Sequence, residues 1–177
     1  MDNNNTFVLA FKLCLICLVV GVGLALLNSV TAPRIEESLI KEKNAAMAEV
    51  LPDCEFEEVT DAVYKGVSGG ETVGYTVSVV SDKGYGGNIE MIVGFKDDFT
   101  IAGIKFITMP ETPGIGTKVE EEAGFVKSFL GKKDTVIVKG APVKDNEIEG
   151  ITGATISSKA VNYGVNEAER LLKEAIK

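Results

Sequence analysis

Four hydroxyl side chains stand close together near the C-terminus, in the segment EGITGATISSK at 149–159. They are Thr152, Thr155, Ser157 and Ser158. Apolar residues at helical spacing follow them, so the segment predicts the start of the last helix. Free backbone N–H groups and the helix dipole at such a start favour a bound anion. A simpler interpretation is also open, because a single serine or threonine commonly caps the first turn of a helix.

Two further glycine-bearing segments, GYGGNI at 84–89 and PETPGIGTK at 110–118, lie at the ends of predicted strands. Glycine lets the backbone bend there and lets a ligand approach main-chain N–H groups. Plainer interpretations stay open for both segments. Pro113-Gly114 is typical of the centre of a turn, and Tyr85 is interpreted as a packed residue at a strand end, with stacking on a ligand as the alternative.

Composition excludes several function classes. The chain has no histidine, which removes the commonest general base and the commonest transition-metal ligand. We therefore predict no catalytic residue and no metal ligand. The net charge is −8, whereas binding to nucleic acid needs a basic face. Cys54 is the one cysteine outside the apolar N-terminal segment, so no disulfide is expected within the remainder.

The segment from Phe7 to Val30 is almost entirely apolar, with Lys12 near its start. As a helix it is about 36 Å long, enough to cross a hydrocarbon core of about 30 Å. We predict an N-terminal tail at 1–6 and a transmembrane helix at 7–30. The alternative is a cleaved signal peptide, because small residues precede position 33, but Pro33 would then follow the cut.

A second helix is predicted at 31–52, with an apolar face alternating with Glu and Lys and with Pro52 at its end. It is either a stalk between the membrane and the domain or a helix that packs on the domain. Arg34, Lys41 and Lys43 follow the apolar segment, and the positive-inside rule applied to them places the C-terminal part in the cytoplasm.

Residues 53–177 are predicted to form one α+β domain. Apolar and polar residues alternate in ETVGYTVSVVS, NIEMIVGF and TIAGIKFIT, which predicts three strands with one buried face. The short links between them favour an antiparallel meander. A helix is expected in KVEEEAGFVKSFLG, a strand in DTVIVKG and a long helix at the C-terminus. The fold class is thus a mainly antiparallel sheet with packed helices behind a single transmembrane helix.

The segment EGITGAT closely resembles the sequence for covalent flavin attachment in the FMN-binding domain family. GYGGNI and ETPGIGTK resemble the family in the same order. In that family the last threonine of the motif carries FMN through a phosphoester bond, and here it is Thr155. The family usually opens the motif with aspartate, where this chain has Glu149. The resemblance implies further flavin contacts at Thr152, Gly153, Ala154, Glu111, Thr112, Gly114 and Ile115.

The layout of one transmembrane helix, an LPDCEFEEV-like junction and one FMN domain is similar to the G subunits of Rnf ion-translocating electron-transport complexes. The related C subunit of the sodium-pumping NADH:quinone reductase is usually longer. The resemblance implies a flavoprotein subunit of a complex that couples ferredoxin:NAD electron transfer to sodium or proton translocation. Its implied partners are the other membrane, iron–sulfur and flavin subunits, and a flavin transferase for maturation. It also implies a domain on the extracytoplasmic side of the cell membrane, against the charge count.

Two alternatives stay open at this point. One is the flavin domain of a different extracytoplasmic reductase. The other is a non-redox, membrane-anchored module that binds an anion reversibly at the last helix. A covalently bound yellow cofactor separates the flavoproteins from the binding module, and co-purification with other membrane subunits separates the two flavoproteins.

Overall fold

The N-terminal part of the protein is one long helix. The structure is a computed structural model that describes residues 3–177, and the chain divides into two compact units, Met1–Lys41 and Glu42–Lys177. Helix α1 runs from Asn3 to Val50 and contains Pro33. From Phe7 it includes a stretch of mean hydropathy 2.7, long and apolar enough to cross a membrane. The predicted transmembrane and stalk segments therefore lie in one helix as far as Val50.

A five-stranded antiparallel sheet forms the centre of the second unit. Its strands follow the chain order β1-β2-β3-β4-β5. They are β1 Glu55–Thr60, β2 Val63–Ser68, β3 Glu71–Ser81, β4 Ile89–Lys96 and β5 Ile101–Thr108. The predicted meander of β3, β4 and β5 is confirmed, and β1 and β2 extend it at one edge. Gly69 and Gly70 link β2 to β3 with φ of 61° and 88°, the conformation that a two-residue hairpin favours.

The remaining helices and strands come after the sheet in the chain. They are α2 Lys118–Glu121, α3 Ala123–Lys127, β6 Val136–Val138, β7 Glu147–Glu149 and α4 Thr155–Ala175. The single helix expected at 118–131 is instead two short helices, because Glu122 takes an extended conformation between them. The short strands β6 and β7 pair in parallel. The α+β fold with a mainly antiparallel sheet is confirmed.

Helix α4 packs across one face of the sheet. Its buried residues include Val161, Val165 and Leu172, which join the main hydrophobic core. The Ser81 hydroxyl donates a hydrogen bond to the carbonyl of Ala160 at 2.8 Å. The amides of Asn162 and Asn166 donate to the Thr135 carbonyl at 3.0 and 2.8 Å, which ties α4 to the approach to β6. These contacts fix the N-terminal end of α4 relative to the sheet.

The last turns of α1 pack on the opposite face of the sheet. Ala46, Met47 and Val50 are buried there in a second apolar cluster with Ile92. Two glycines, Gly94 and Gly103, face each other across β4 and β5. A Cβ at either glycine would lie about 3.1 Å from the Val50 side chain, so the missing side chains create the groove in which Val50 sits.

Candidate functional site

The hydroxyl-rich segment is placed at the first turn of α4. The helix begins at Thr155, and Ala154 occupies the N-cap position. Within the described residues no side chain caps this turn. The intrahelical bonding starts with the Ser158 N–H, which donates to the Ala154 carbonyl at 2.8 Å. The interpretation of this segment as a plain hydroxyl cap is therefore wrong.

The two serines of the segment have other partners. The Ser158 hydroxyl accepts a hydrogen bond from the Ile151 N–H at 3.1 Å and donates to the Ala154 carbonyl at 2.9 Å. The Ser157 hydroxyl donates to Oε2 of Glu111 at 3.0 Å. Both serines are buried. They hold the loop before α4 in place and leave the first-turn N–H groups for another acceptor.

A cavity of about 450 Å³ opens beside this turn. Six of the eight sequence-predicted contact residues line it: Glu111, Thr112, Ile115, Gly153, Ala154 and Thr155. Three residues that were not predicted as contacts line it as well: Gly116, Ile156 and Ser157. Tyr85, for which stacking on a ligand was the alternative interpretation, also lines it. The volume suits a small organic cofactor. Three segments far apart in the sequence thus meet at one site.

Two predicted residues lie outside this cavity. Thr152 borders a neighbouring cavity of about 780 Å³ together with Glu149. Gly114 is exposed, with φ of +71°. The predicted turn is present, because the Ile115 N–H donates to the Thr112 carbonyl at 3.1 Å, with Pro113 and Gly114 between them. The turn presents Ile115 to the cavity, so the turn and the predicted contact are compatible.

Tyr85 differs from its expected placement. Its side chain is 73% exposed and borders the cavity. The interpretation of Tyr85 as a packed strand-end residue is therefore wrong. Ile115 and Ile156 are also exposed and border the same cavity. The cavity consequently has a mouth with apolar and aromatic side chains, where a ring system can be contacted on its faces.

A buried carboxylate organises the wall of the cavity. Glu111 is 5% exposed, and its Oε1 accepts hydrogen bonds from the N–H groups of Tyr85 at 2.7 Å and Gly86 at 3.4 Å. Beside the loop that contains Tyr85 and Gly86, the Lys83 side chain donates a hydrogen bond to the Asp82 carboxylate at 3.1 Å. That hydrogen bond raises the pKa of Lys83. Sequence patterns could not reveal the Glu111 contacts, because the partners come from separate segments.

The residues present fit FMN on three observations. The uncapped start of α4 offers N–H groups and a positive dipole end to a phosphate. Thr155, which carries a hydroxyl, is half-buried at this start and borders the cavity. Apolar residues surround the mouth, where the flat isoalloxazine ring needs non-polar contacts.

Comparison with known proteins agrees with this site. Residues 84–169 match the FMN-binding domain family, and this range contains all the residues that line the cavity. Among solved structures, the crystal structure of Shewanella oneidensis NqrC aligns with a TM-score of 0.51 at 22% identity. That alignment covers 63% of this chain and 60% of NqrC, and it supports the fold.

Two curated relatives align over almost their whole length. The G subunit of the Na(+)-translocating ferredoxin:NAD(+) oxidoreductase complex of Acetobacterium woodii is 39% identical, over 94% of this chain and 91% of the relative. The G subunit of the proton-translocating ferredoxin:NAD(+) oxidoreductase complex of Clostridium ljungdahlii is 32% identical, with the same coverage of both chains. The chain therefore belongs to the family of G subunits of ion-translocating ferredoxin:NAD oxidoreductase complexes, the Rnf complexes.

Proposed function

We propose that this chain is the membrane-anchored, FMN-carrying electron-transfer subunit of an Rnf-type complex, which couples ferredoxin:NAD electron transfer to ion translocation. The observation that carries the proposal is the meeting of six predicted contact residues at one cavity, inside the range that matches the FMN-binding domain family. FMN exchanges electrons with both one-electron and two-electron carriers, so it can link iron–sulfur centres to other flavins. The chain itself supplies the binding site and the anchor.

The cofactor is proposed to be bound covalently, through a phosphoester at the Thr155 hydroxyl. Thr155 is half-buried, borders the cavity and is the first residue of α4. A phosphodiester keeps one negative charge, which the helix start stabilises. A threonine hydroxyl is a weak nucleophile that needs an activating base, and the chain has no histidine. The resemblance to the FMN-binding domain family implies that a separate flavin transferase forms the bond.

The cavity walls have distinct roles in this proposal. The glycine at 153 has φ of +88°, which lets the chain turn tightly just before the attachment residue. Ile115 and Ile156 line the cavity, where they would contact apolar parts of the ring and help to exclude water from it. The Tyr85 ring stands at the mouth, where it can stack on a planar group.

The experiment that tests the attachment uses an isosteric pair of variants. We expect the native chain, purified from its own membrane, to carry one FMN phosphoester adduct on the peptide containing Thr155, stable to denaturation. Thr155→Val has nearly the same shape but no hydroxyl, and we expect complete loss of the adduct. Thr155→Ser keeps a hydroxyl and should retain it. Intact mass and peptide mapping measure both. A modified Thr155→Val chain would place the bond elsewhere, and an unmodified wild-type chain would refute covalent attachment.

The surroundings of the subunit follow from the same proposal. The apolar part of α1 that begins at Phe7 anchors the chain in the cell membrane, and the FMN domain lies on the extracytoplasmic side of that membrane. A covalent bond is most useful there, because a cofactor that dissociates outside the cytoplasm is lost. The proposed partners are the other membrane, iron–sulfur and flavin subunits of the complex. Co-purification of those subunits distinguishes this role from that of a flavin domain in a different reductase.

A further inference from the structure

Glu111 is a buried carboxylate at the edge of the cavity, and three hydrogen-bond donors surround it. Tyr85 N–H and Gly86 N–H point to one oxygen, and the Ser157 hydroxyl donates to the other. An ionised carboxylate accepts hydrogen bonds and donates none, and a buried one is stable only when donors such as these are present. The arrangement therefore holds a negative charge in one orientation at the cavity wall.

The backbone around Glu111 is shaped to admit this carboxylate. A Cβ at position 116 would lie 2.7 Å from the Glu111 Cβ and 3.0 Å from the Ser157 hydroxyl oxygen. A Cβ at position 84 would clash first with the Gly87 carbonyl oxygen and would also lie 2.9 Å from Oε1 of Glu111. Real Cβ atoms essentially never lie closer than 3.0 Å to such atoms, so a side chain at position 116 would crowd Glu111 directly, whereas one at position 84 would first clash with the backbone of its own loop. Three segments of the chain consequently meet at one side chain.

We propose that Glu111 is a positioning residue of the flavin site, which ties the loop at 84–87 to the first turn of α4 and disfavours reduction of the flavin through its fixed negative charge. The inference rests on the proposed function, because it needs FMN in this cavity. Reduction adds electrons to the ring, and a nearby negative charge opposes this most strongly where water is excluded. The hydrogen bonds prevent the carboxylate from turning away.

The positioning half is tested without the flavin, by amide hydrogen exchange of the full-length Thr155→Val chain in detergent. Adding Glu111→Ala removes the acceptor, and we expect the amides of Tyr85 and Gly86 to exchange at least tenfold faster. Adding Glu111→Gln retains an oxygen acceptor and should keep both rates within threefold of the parent chain. Equal rates in the parent and in the Glu111→Ala chain would overturn the positioning role.

The charge half is tested by equilibrating the flavin-loaded chain with a redox dye and dithionite. In Glu111→Gln the ratio of reduced to oxidised flavin should rise at least tenfold at a given dye potential, which is about 30 mV for a two-electron couple. Glu120→Gln neutralises an exposed carboxylate on α2 and should change the ratio less than twofold. Ser157→Ala keeps the charge of Glu111 but removes the hydroxyl that donates to it. The negative charge is then less well compensated, so the ratio of reduced to oxidised flavin should fall.

The outcomes separate this inference from the proposed function. An unchanged ratio in Glu111→Gln, with a normal FMN adduct, overturns the effect of the charge and leaves the proposed function standing. If Glu111→Gln does not fold, the Ser157→Ala chain decides. A rise in its ratio of reduced to oxidised flavin would overturn the effect of the charge. A wild-type chain without FMN overturns the proposed function together with the charge effect, whereas the exchange rates still decide the positioning role.

Discussion

Glu111 and Ser157 show what the sequence reveals at the scale of single residues. They lie 46 positions apart and share a hydrogen bond at the cavity. Family resemblance predicted Glu111 as a flavin contact, because its motif is continuous in the sequence. Ser157 was not predicted as a contact, because its role depends on how the start of α4 packs against the loop after β5. Local patterns identify motifs, but contacts between motifs arise only in the folded chain.

Gly116 gives a prediction at the same scale. A Cβ at this position would press on the Glu111 side chain, so Gly116→Ala should lower the free energy of unfolding by about 1–3 kcal/mol. Gly124 is the matched control. It lies in α3, and a Cβ there has no neighbour within 4 Å among residues 3–177. Gly124→Ala should be neutral or stabilising by up to about 1 kcal/mol. Urea unfolding of both variants checks the difference, and equal effects would contradict it.

At the scale of elements, the sequence predicted β3, β4, β5 and β6 but not β1, β2 and β7. Strands β3, β4 and β5 were predicted from their period of two. The expectation of a single buried face is wrong for β4, because α1 covers Ile92 on the face opposite the main core. Strand β1 was not predicted, because its sequence EFEEVT has no continuous apolar face. The strand is accordingly exposed at almost every position. Strand β7 has three residues, too few for a period. Gly69-Gly70 was the available sign of the hairpin between β2 and β3.

The end of α1 gives the prediction at this scale. Met47 and Val50 are buried on the sheet, and the compact unit begins at Glu42. We therefore expect a fragment of residues 42–177 to unfold cooperatively in urea. A fragment of residues 53–177 lacks these side chains and should be less stable by about 4 kcal/mol or more, since each large buried side chain contributes about 2–5 kcal/mol.

A point variant separates the burial of Met47 from chain length. Met47→Ala in the longer fragment should cost about 2–4 kcal/mol. Val59→Ala shortens a side chain that is 40% exposed and should cost less than about 1 kcal/mol. If the shorter fragment were as stable as the longer one, the last turns of α1 would be dispensable, and the domain would begin at residue 53 as the sequence suggested.

At the scale of the whole molecule, charge and family resemblance predict opposite orientations in the membrane. Arg34, Lys41 and Lys43 favour a cytoplasmic domain by the positive-inside rule. Glu36, Glu37 and Glu42 stand among them, and subunit contacts within a complex also influence orientation. The family resemblance favours the extracytoplasmic side, which the proposed function adopts. A direct measurement of topology therefore tests the proposal at its largest scale.

A cysteine at position 143 provides that measurement, because Val143 is 90% exposed. In intact protoplasts, a membrane-impermeant maleimide at pH 7 should label Val143→Cys as fully as it does after lysis. The wild-type chain is the control. Its Cys14 and Cys17 lie in the apolar segment, and burial, with a contribution from Asp53, raises the pKa of Cys54. Cys54 is therefore mostly protonated at pH 7 and should react slowly, and faster as the pH rises. Labelling of Val143→Cys only after lysis would place the FMN domain in the cytoplasm.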